Sequence, residues 1–144
     1  MTTVLELVGA ARASGDWNLL TQGIPYMRFL GVTLERQGPR LLGRMSYAPH
    51  LIGNSSLPAL HGGTLGALLE SAAHVELLSR ADCTVLPKTI TLTVDYLRSG
   101  KPVDTFAHAE VVKQGRRVCT VHAKAWQDDE AAPIATATVQ LLIR

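Results

Sequence analysis

The chain is short of cysteine, of excess charge and of long apolar runs, and each shortage removes a class of protein. Cys83 and Cys119 are its only cysteines in 144 residues. Neither has a partner at metal-ligand spacing, and a chain of this length needs no disulfide, so both read as reduced thiols. A formal net charge of +2 is too weak to argue for nucleic acid. The start, Met1 to Glu6, has no basic region ahead of an apolar run, so no signal peptide is expected. The most apolar stretch is interrupted by Glu70, His74 and Glu76 and is no membrane span. Repeats, linkers and low-complexity segments are lacking, and the expectation is one soluble, cytoplasmic domain over residues 1–144.

What is present is an ordinary globular composition, 47% hydrophobic and 18% charged, long enough for a real core. The chain is organised around His61-Gly62-Gly63-Thr64-Leu65-Gly66-Ala67-Leu68-Leu69-Glu70-Ser71-Ala72-Ala73-His74. This reads as a helix from Gly62 to Arg80, apolar on nearly every side and hence buried. Glu70 sits in its middle, and a buried carboxylate is costly unless something pairs with it or uses it. At the helix start, free N–H groups and the macrodipole favour negative charge, and glycine leaves the approach open. Gly62 and Glu70 are eight residues apart, hence about 12 Å along the axis and roughly 80° around it. One helix cannot turn both toward one small reacting group. Two antiparallel copies can, so a single site using both lies between subunits.

The remaining chain is read from its stop signals and periodicity. Residues 1–30 form a helical cap: Thr3 to Ala13 is amphipathic with Thr2 or Thr3 as N-cap and Gly15 as stop, Asp16 to Leu20 begins another turn, and Ile24 to Leu30 is a short helix with Pro25 in its first turn. Nothing in this cap suggests chemistry. Gly31–Gln37 and Arg40–Tyr47 read as strands about Gly38-Pro39, and Ala48–Leu60 as a loop. Asp82-Cys83 follows the helix. Thr89–Leu97 alternates, with Ile90, Leu92, Val94 and Tyr96 on one face and Thr89, Thr91, Thr93 and Asp95 on the other. Val103–Lys113, Arg117–Trp126 and Ile134–Ile143 complete a four-strand antiparallel meander. Such a sheet must cover its apolar face, and the helix at Gly62 is the one element long enough to do so. The fold class is therefore α+β: a curved antiparallel β-sheet wrapped around one long central helix, with a short helical N-terminal cap.

That architecture and these residues resemble the hotdog fold. His61-Gly62-Gly63, with Glu70 nine residues after the histidine, is similar to the acyl-CoA thioesterases of the phenylacetate-pathway (PaaI-like) subfamily. Val94-Asp95-Tyr96-Leu97-Arg98 and Lys113-Gln114-Gly115-Arg116-Arg117 extend the likeness, which runs from about Gly31 to the C-terminus. The resemblance implies hydrolysis of an acyl- or aryl-CoA thioester to the carboxylic acid and free CoA. The Gly62 N–H would polarise the thioester carbonyl, and Glu70 of a facing subunit would act as general base or as nucleophile. Thr89 would orient that carboxylate or the water, and Asn54 or Ser55 would hold the water or the carbonyl. Gly63 would lie along the substrate. His61 would cap the helix or take part in proton transfer. His74 would line the acyl pocket with Met27, Leu78 and the 48–60 loop, or pair with Glu70. Arg98, Lys101, Lys113, Arg116 and Arg117 would meet the phosphates of CoA or remain a solvated surface.

No metal or other cofactor is expected beyond the CoA of the substrate, since Glu70, His74 and His61 lack a further ligand at recognisable spacing. The expected assembly is a homodimer, extended to a homotetramer as a dimer of dimers, with neither nucleic acid nor membrane as partner. Other hotdog functions stand beside this one: a non-catalytic acyl-CoA-binding module, and a dehydratase or hydratase.

Overall fold

The first and third helices of the cap each stop on a left-handed glycine. In this computed structural model, which describes residues 1–80 and 84–144, α1 (Val4–Ser14) opens on Thr3. The Thr3 hydroxyl accepts from the Glu6 N–H at 3.2 Å, and the Glu6 carboxylate accepts from the Thr3 N–H at 2.6 Å. Gly15, at φ 78°, closes the helix in the left-handed conformation. Asp16 to Leu20 begins a further turn: the Asp16 carbonyl accepts from the Leu19 N–H at 3.4 Å, and its carboxylate accepts from the Asn18 N–H and leads into α2 (Asn18–Gly23). The third helix, α3 (Pro25–Leu30), starts on Pro25 and stops at Gly31. The cap is fastened to the sheet by the Asn18 side chain, which accepts from the Leu34 N–H at 2.7 Å and donates to the Leu34 carbonyl at 3.0 Å.

Strands β1 (Val32–Gln37) and β2 (Arg40–Met45) form the expected hairpin around Gly38. The stretch read as loop carries more order than its turn residues suggested. Pro49–Leu51 is one turn of 3-10 helix, and β3 (Ile52–Asn54) pairs with β4 (Ala59–Leu60). The central helix α4 spans Gly62–Arg80 as expected. After it come β5 (Lys88–Tyr96), β6 (Thr105–Gln114), β7 (Val118–Trp126) and β8 (Ala135–Leu142). Asp82 and Cys83 lie outside the described residues.

The six-stranded sheet is antiparallel throughout, in the order β1-β2-β6-β7-β8-β5. This corrects the expected meander. Strands β6, β7 and β8 do run consecutively, but β5 sits at the far edge against β8. Residues 97–104 are therefore a crossover rather than a hairpin, and the Leu60 N–H holds it by donating to the Gly100 carbonyl at 2.9 Å. With β5 at the edge, the β1–β2 hairpin joins β6 and one continuous face can wrap α4. The alternation of β5 is also interrupted. A bulge between Thr89 and Thr91 turns Thr89 to the helix side with Leu92 and Val94 and leaves Ile90 55% exposed.

The wrapped face is built of small residues. Ala107, Ala109, Ala123, Ala125, Ala135 and Ala137 are all buried, and their short side chains let α4 bury Leu65, Leu68, Leu69, Ala73 and Leu77 against the sheet. Cys119 belongs to the same core. Glu76, marked in the sequence by its charge alone, is 3% exposed on α4 and pairs with Arg80 Nε at 2.5 Å. On the outer face, Phe106 stacks on Trp126, and Arg40 and Lys124 lie over the indole. Glu130 ties these cations together, at 2.8 Å from Arg40 and 3.0 Å from Lys124. Among the described residues no helix is long and apolar enough to cross a membrane.

Candidate active site

The start of α4 spends all but one of its first amide groups internally. The imidazole Nδ1 of His61 accepts from the Gly63 N–H at 2.9 Å, and the His61 carbonyl accepts from the Thr64 N–H at 3.0 Å and the Thr64 hydroxyl at 2.6 Å. His61 thus plays the part an aspartate or serine plays at other helix starts, and accepting at Nδ1 puts the ring proton of the neutral form on Nε2. The N–H of Gly62 has no partner among the described residues. It borders a cavity of about 360 Å³ shared with Leu65, Tyr96, Arg98 and Gly100. The Tyr96 hydroxyl donates to the Gly62 carbonyl at 2.8 Å. A Cβ on Gly62 would stand 3.2 Å from the Tyr96 ring, and one on Gly63 would stand 2.9 Å from His61 Nδ1. Both glycines are therefore held by close neighbours as well as by the openness a ligand would need. Tyr96 is a site residue to which sequence reasoning gave no role; its place in Val94-Asp95-Tyr96-Leu97-Arg98 was the signal that could have found it.

Glu70 lies elsewhere. With Ser71 and His74 it opens into a separate cavity of about 280 Å³, bounded by Met27 and Leu78. No hydrogen bond or ion pair to Glu70 forms among the described residues. His74, one turn on, instead points its Nε2 at the Thr89 hydroxyl, 2.9 Å away. Burial lowers the pKa of His74, and the neighbouring Glu70 carboxylate opposes that shift. The ring is therefore held neutral near neutral pH. Thr89, expected to orient the carboxylate, is placed on His74 instead. The bulge beside it is what makes this reach possible.

Other expected residues are placed apart. Asn54 Oδ1 accepts from the Ser56 N–H at 2.9 Å in a tight turn, and Ser55 is exposed beside it; neither borders the Gly62 or the Glu70 cavity. Arg98 and Lys101 lie at the Tyr96 end of the sheet, where the Arg98 N–H bonds to the Ile134 carbonyl. Lys113, Arg116 and Arg117 lie at the opposite end, since Val118, Leu142 and Lys88 are level across β7, β8 and β5. Within one protomer these cations form two groups. Of the residues proposed for the acyl pocket, Met27, His74 and Leu78 do meet, whereas the 48–60 loop does not border that cavity. Among the described residues no group of three or more His, Cys, Asp and Glu side chains is placed to hold a metal ion.

A curved antiparallel sheet around a central helix that opens on His-Gly-Gly and carries a mid-helix glutamate defines the hotdog thioesterases. Residues 54–142 match the family described as the acyl-CoA thioesterase N-terminal domain, so the chain belongs to this family and is a thioester hydrolase acting on acyl-CoA. It is 26% identical, over 99% of both chains, to the medium/long-chain acyl-CoA thioesterase YigI of Salmonella typhimurium. A crystal structure of a Chromobacterium violaceum protein superposes with a TM-score of 0.80 at 30% identity, covering 95% of this chain and 96% of that one. A Bacillus halodurans protein solved with CoA shares the fold, with a TM-score of 0.72 at 20% identity over 98% of this chain and 91% of that one.

Proposed function

We propose that the hydrolytic site is assembled from two protomers, with the Gly62 amide of one facing the Glu70 carboxylate of the other. The observation that carries this reading is that Gly62 and Glu70 open into different cavities of the same chain. The unpaired edge of β5 supplies the means. It is nine residues long, and an open edge of that length is a ready template for another strand. Gly62 is anchored at Tyr96, and Glu70's neighbour His74 at Thr89, about 20 Å apart along the strand at the usual rise per residue with the bulge counted as one step. Two β5 edges paired antiparallel about Thr93, with Ile90 and Thr91 counted as one step at the bulge, set Tyr96 of one copy opposite Thr89 of the other and keep both central helices on one side of the joined sheet. The same pairing brings the Arg98 end of one copy toward the Lys113–Arg117 hairpin of the other, uniting the two groups of cations around the CoA phosphates.

In this site the Gly62 N–H stabilises the negative charge that grows on the thioester oxygen. Glu70 serves as base for water or as nucleophile. By the base route, water's oxygen bonds to the carbonyl carbon, the carbon–sulfur bond breaks, and the proton taken by Glu70 passes to the departing CoA thiolate. Neutral His74, fixed by Thr89, keeps Glu70 and the water aligned, so Thr89 acts through the histidine. No metal enters these steps. An aliphatic medium- or long-chain acyl-CoA, the substrate named for the Salmonella relative, suits the apolar surroundings of the Glu70 cavity better than an aryl-CoA of the phenylacetate type. The reaction takes place in the cytoplasm, on a homodimer or a dimer of dimers.

Co-expression of Glu70→Gln and Gly62→Val chains with different affinity tags tests the arrangement. Each variant alone is inactive. The tandem-purified heterodimer has one site with both lesions and one with neither, so it recovers about half of wild-type turnover. A heterodimer as inactive as its parents sinks the shared site. Single turnover in ¹⁸O-labelled water separates the routes: label found in Glu70 marks the nucleophile.

A further inference from the structure

The N-terminal cap, which reads as a mere cover and lies outside the matched region 54–142, forms most of the apolar wall of the Glu70 cavity. Val4 of α1, Leu20 of α2, Ile24 between α2 and α3, and Tyr26 and Met27 of α3 all line it. The polar end of the cavity is Glu70, Ser71 and His74 on α4, so it begins at the reacting group and runs away from it under the cap. Met27 and Leu20 are buried and fixed by packing, and Val4 and Ile24 are half-buried against the core. Apart from the Tyr26 hydroxyl, the cap side chains of this wall carry no polar atom, which leaves nothing to satisfy a charged or hydroxylated acyl tail.

We infer that the helical cap is the ruler that selects the acyl chain, and that the chain it selects is an aliphatic one of about nine carbons. This rests on the proposed role of Glu70. The length follows from the volume. At about 30 Å³ for each methylene, close to the volume share of one water in the liquid, a cavity of about 280 Å³ accepts eight to ten carbons. Each methylene buried up to that limit raises kcat/KM about fourfold. Beyond it the chain must displace buried Met27 or Leu20, and the rise stops.

The test is kcat/KM for the full-length protein on straight-chain acyl-CoAs from butyryl to palmitoyl, followed by CoA release with a thiol reporter. The wild type climbs to octanoyl or decanoyl and then levels or falls. Ile24→Trp fills the cavity by roughly two methylenes and lowers the decanoyl-to-butyryl ratio of kcat/KM at least tenfold. Met27→Ala opens it and moves the optimum to longer chains by roughly two carbons. Val4→Trp, at the first residue of α1, repeats the Ile24 effect with little burden on folding. A flat wild-type profile, or variants that change every chain length by one common factor, overturns the ruler while leaving the thioesterase reading intact. A wild type that releases CoA from acyl-CoAs, but in which Glu70→Gln does so equally well, overturns the role of Glu70 and the ruler with it.

Discussion

The amide of Gly62 can be tested without removing it. Gly62→Ala keeps the N–H but places a Cβ 3.2 Å from two carbons of the Tyr96 ring and 3.3 Å from its hydroxyl oxygen. Ordinary contact needs a few tenths of an ångström more, so the ring has to move. It is anchored by its hydrogen bond to the Gly62 carbonyl, worth about 1 kcal/mol at most at this exposed position. Alanine is the better helix former, by up to about 1 kcal/mol, so the two stability effects nearly cancel and the melting temperature should move by no more than about 3 °C. Catalysis has no such compensation. A methyl group at the mouth of the amide shifts the thioester oxygen from its donor, and losing an oxyanion donor costs on the order of a hundredfold. The expected result is kcat down by ten- to a hundredfold at nearly unchanged stability. Adding Tyr96→Ala lets the backbone and substrate resettle and restores at least part of the loss. Gly62→Ala with wild-type kcat refutes the assignment of the amide, because it shows that nothing approaches Gly62 closely during turnover.

Two further predictions concern ionisation. The pKa of His74 lies below its ordinary 6.5 because burial disfavours the cation. The unfolded chain then binds the proton more readily, so this contribution is fully present above pH 6.5 and is lost as pH falls toward the folded value. His74→Gln should flatten the wild-type decline in urea-unfolding free energy below pH 6.5, and Thr89→Val should lower kcat about tenfold with about 1 kcal/mol of destabilisation; an unaltered pH slope in the glutamine variant removes His74 as its source. Glu130, held at about 2 from an ordinary 4.5 chiefly by its hydrogen bond from Arg40 and then by Lys124, stabilises the fold above pH 4.5 and progressively less as pH falls toward 2. Its side chain is 34% exposed, so after allowance for screening Glu130→Gln should cost only about 1 kcal/mol at pH 7, and that difference should vanish near pH 2.

How much of this was legible in the sequence follows from the range of the interactions involved. The central helix, its glycine start and its mid-helix glutamate were readable because each depends on residues within a turn or two: Thr3 with Glu6 at one helix, His61 with Gly63 at another. The order of strands was not readable. Alternation tells which residues of β5 face the core but not which strand lies beside it, and pairing with β8 instead of β6 depends on contacts 39 to 54 residues away. The bulge at Ile90 was equally hidden, because its signature is a mismatch with Leu141 and Gln140 and not a feature of β5 itself.

The part proposed for the cap was only partly legible for a related reason. Met27 was named for the acyl pocket, but Val4 and Ile24 carry no chemistry of their own, so a search for ionisable or nucleophilic side chains passes over them. They acquire a function only because α1 to α3 are laid against the one face of α4 where Glu70 and His74 emerge. A buried carboxylate in an apolar helix reports that a site exists; the hydrocarbon side chains facing it report what the site accepts. The first is legible as a violation of a local rule, and the second requires the fold. Substrate choice in this enzyme is accordingly expected to vary with substitutions in the first thirty residues far more than with any at Gly62 or Glu70, where substitution should lower turnover for every chain length together.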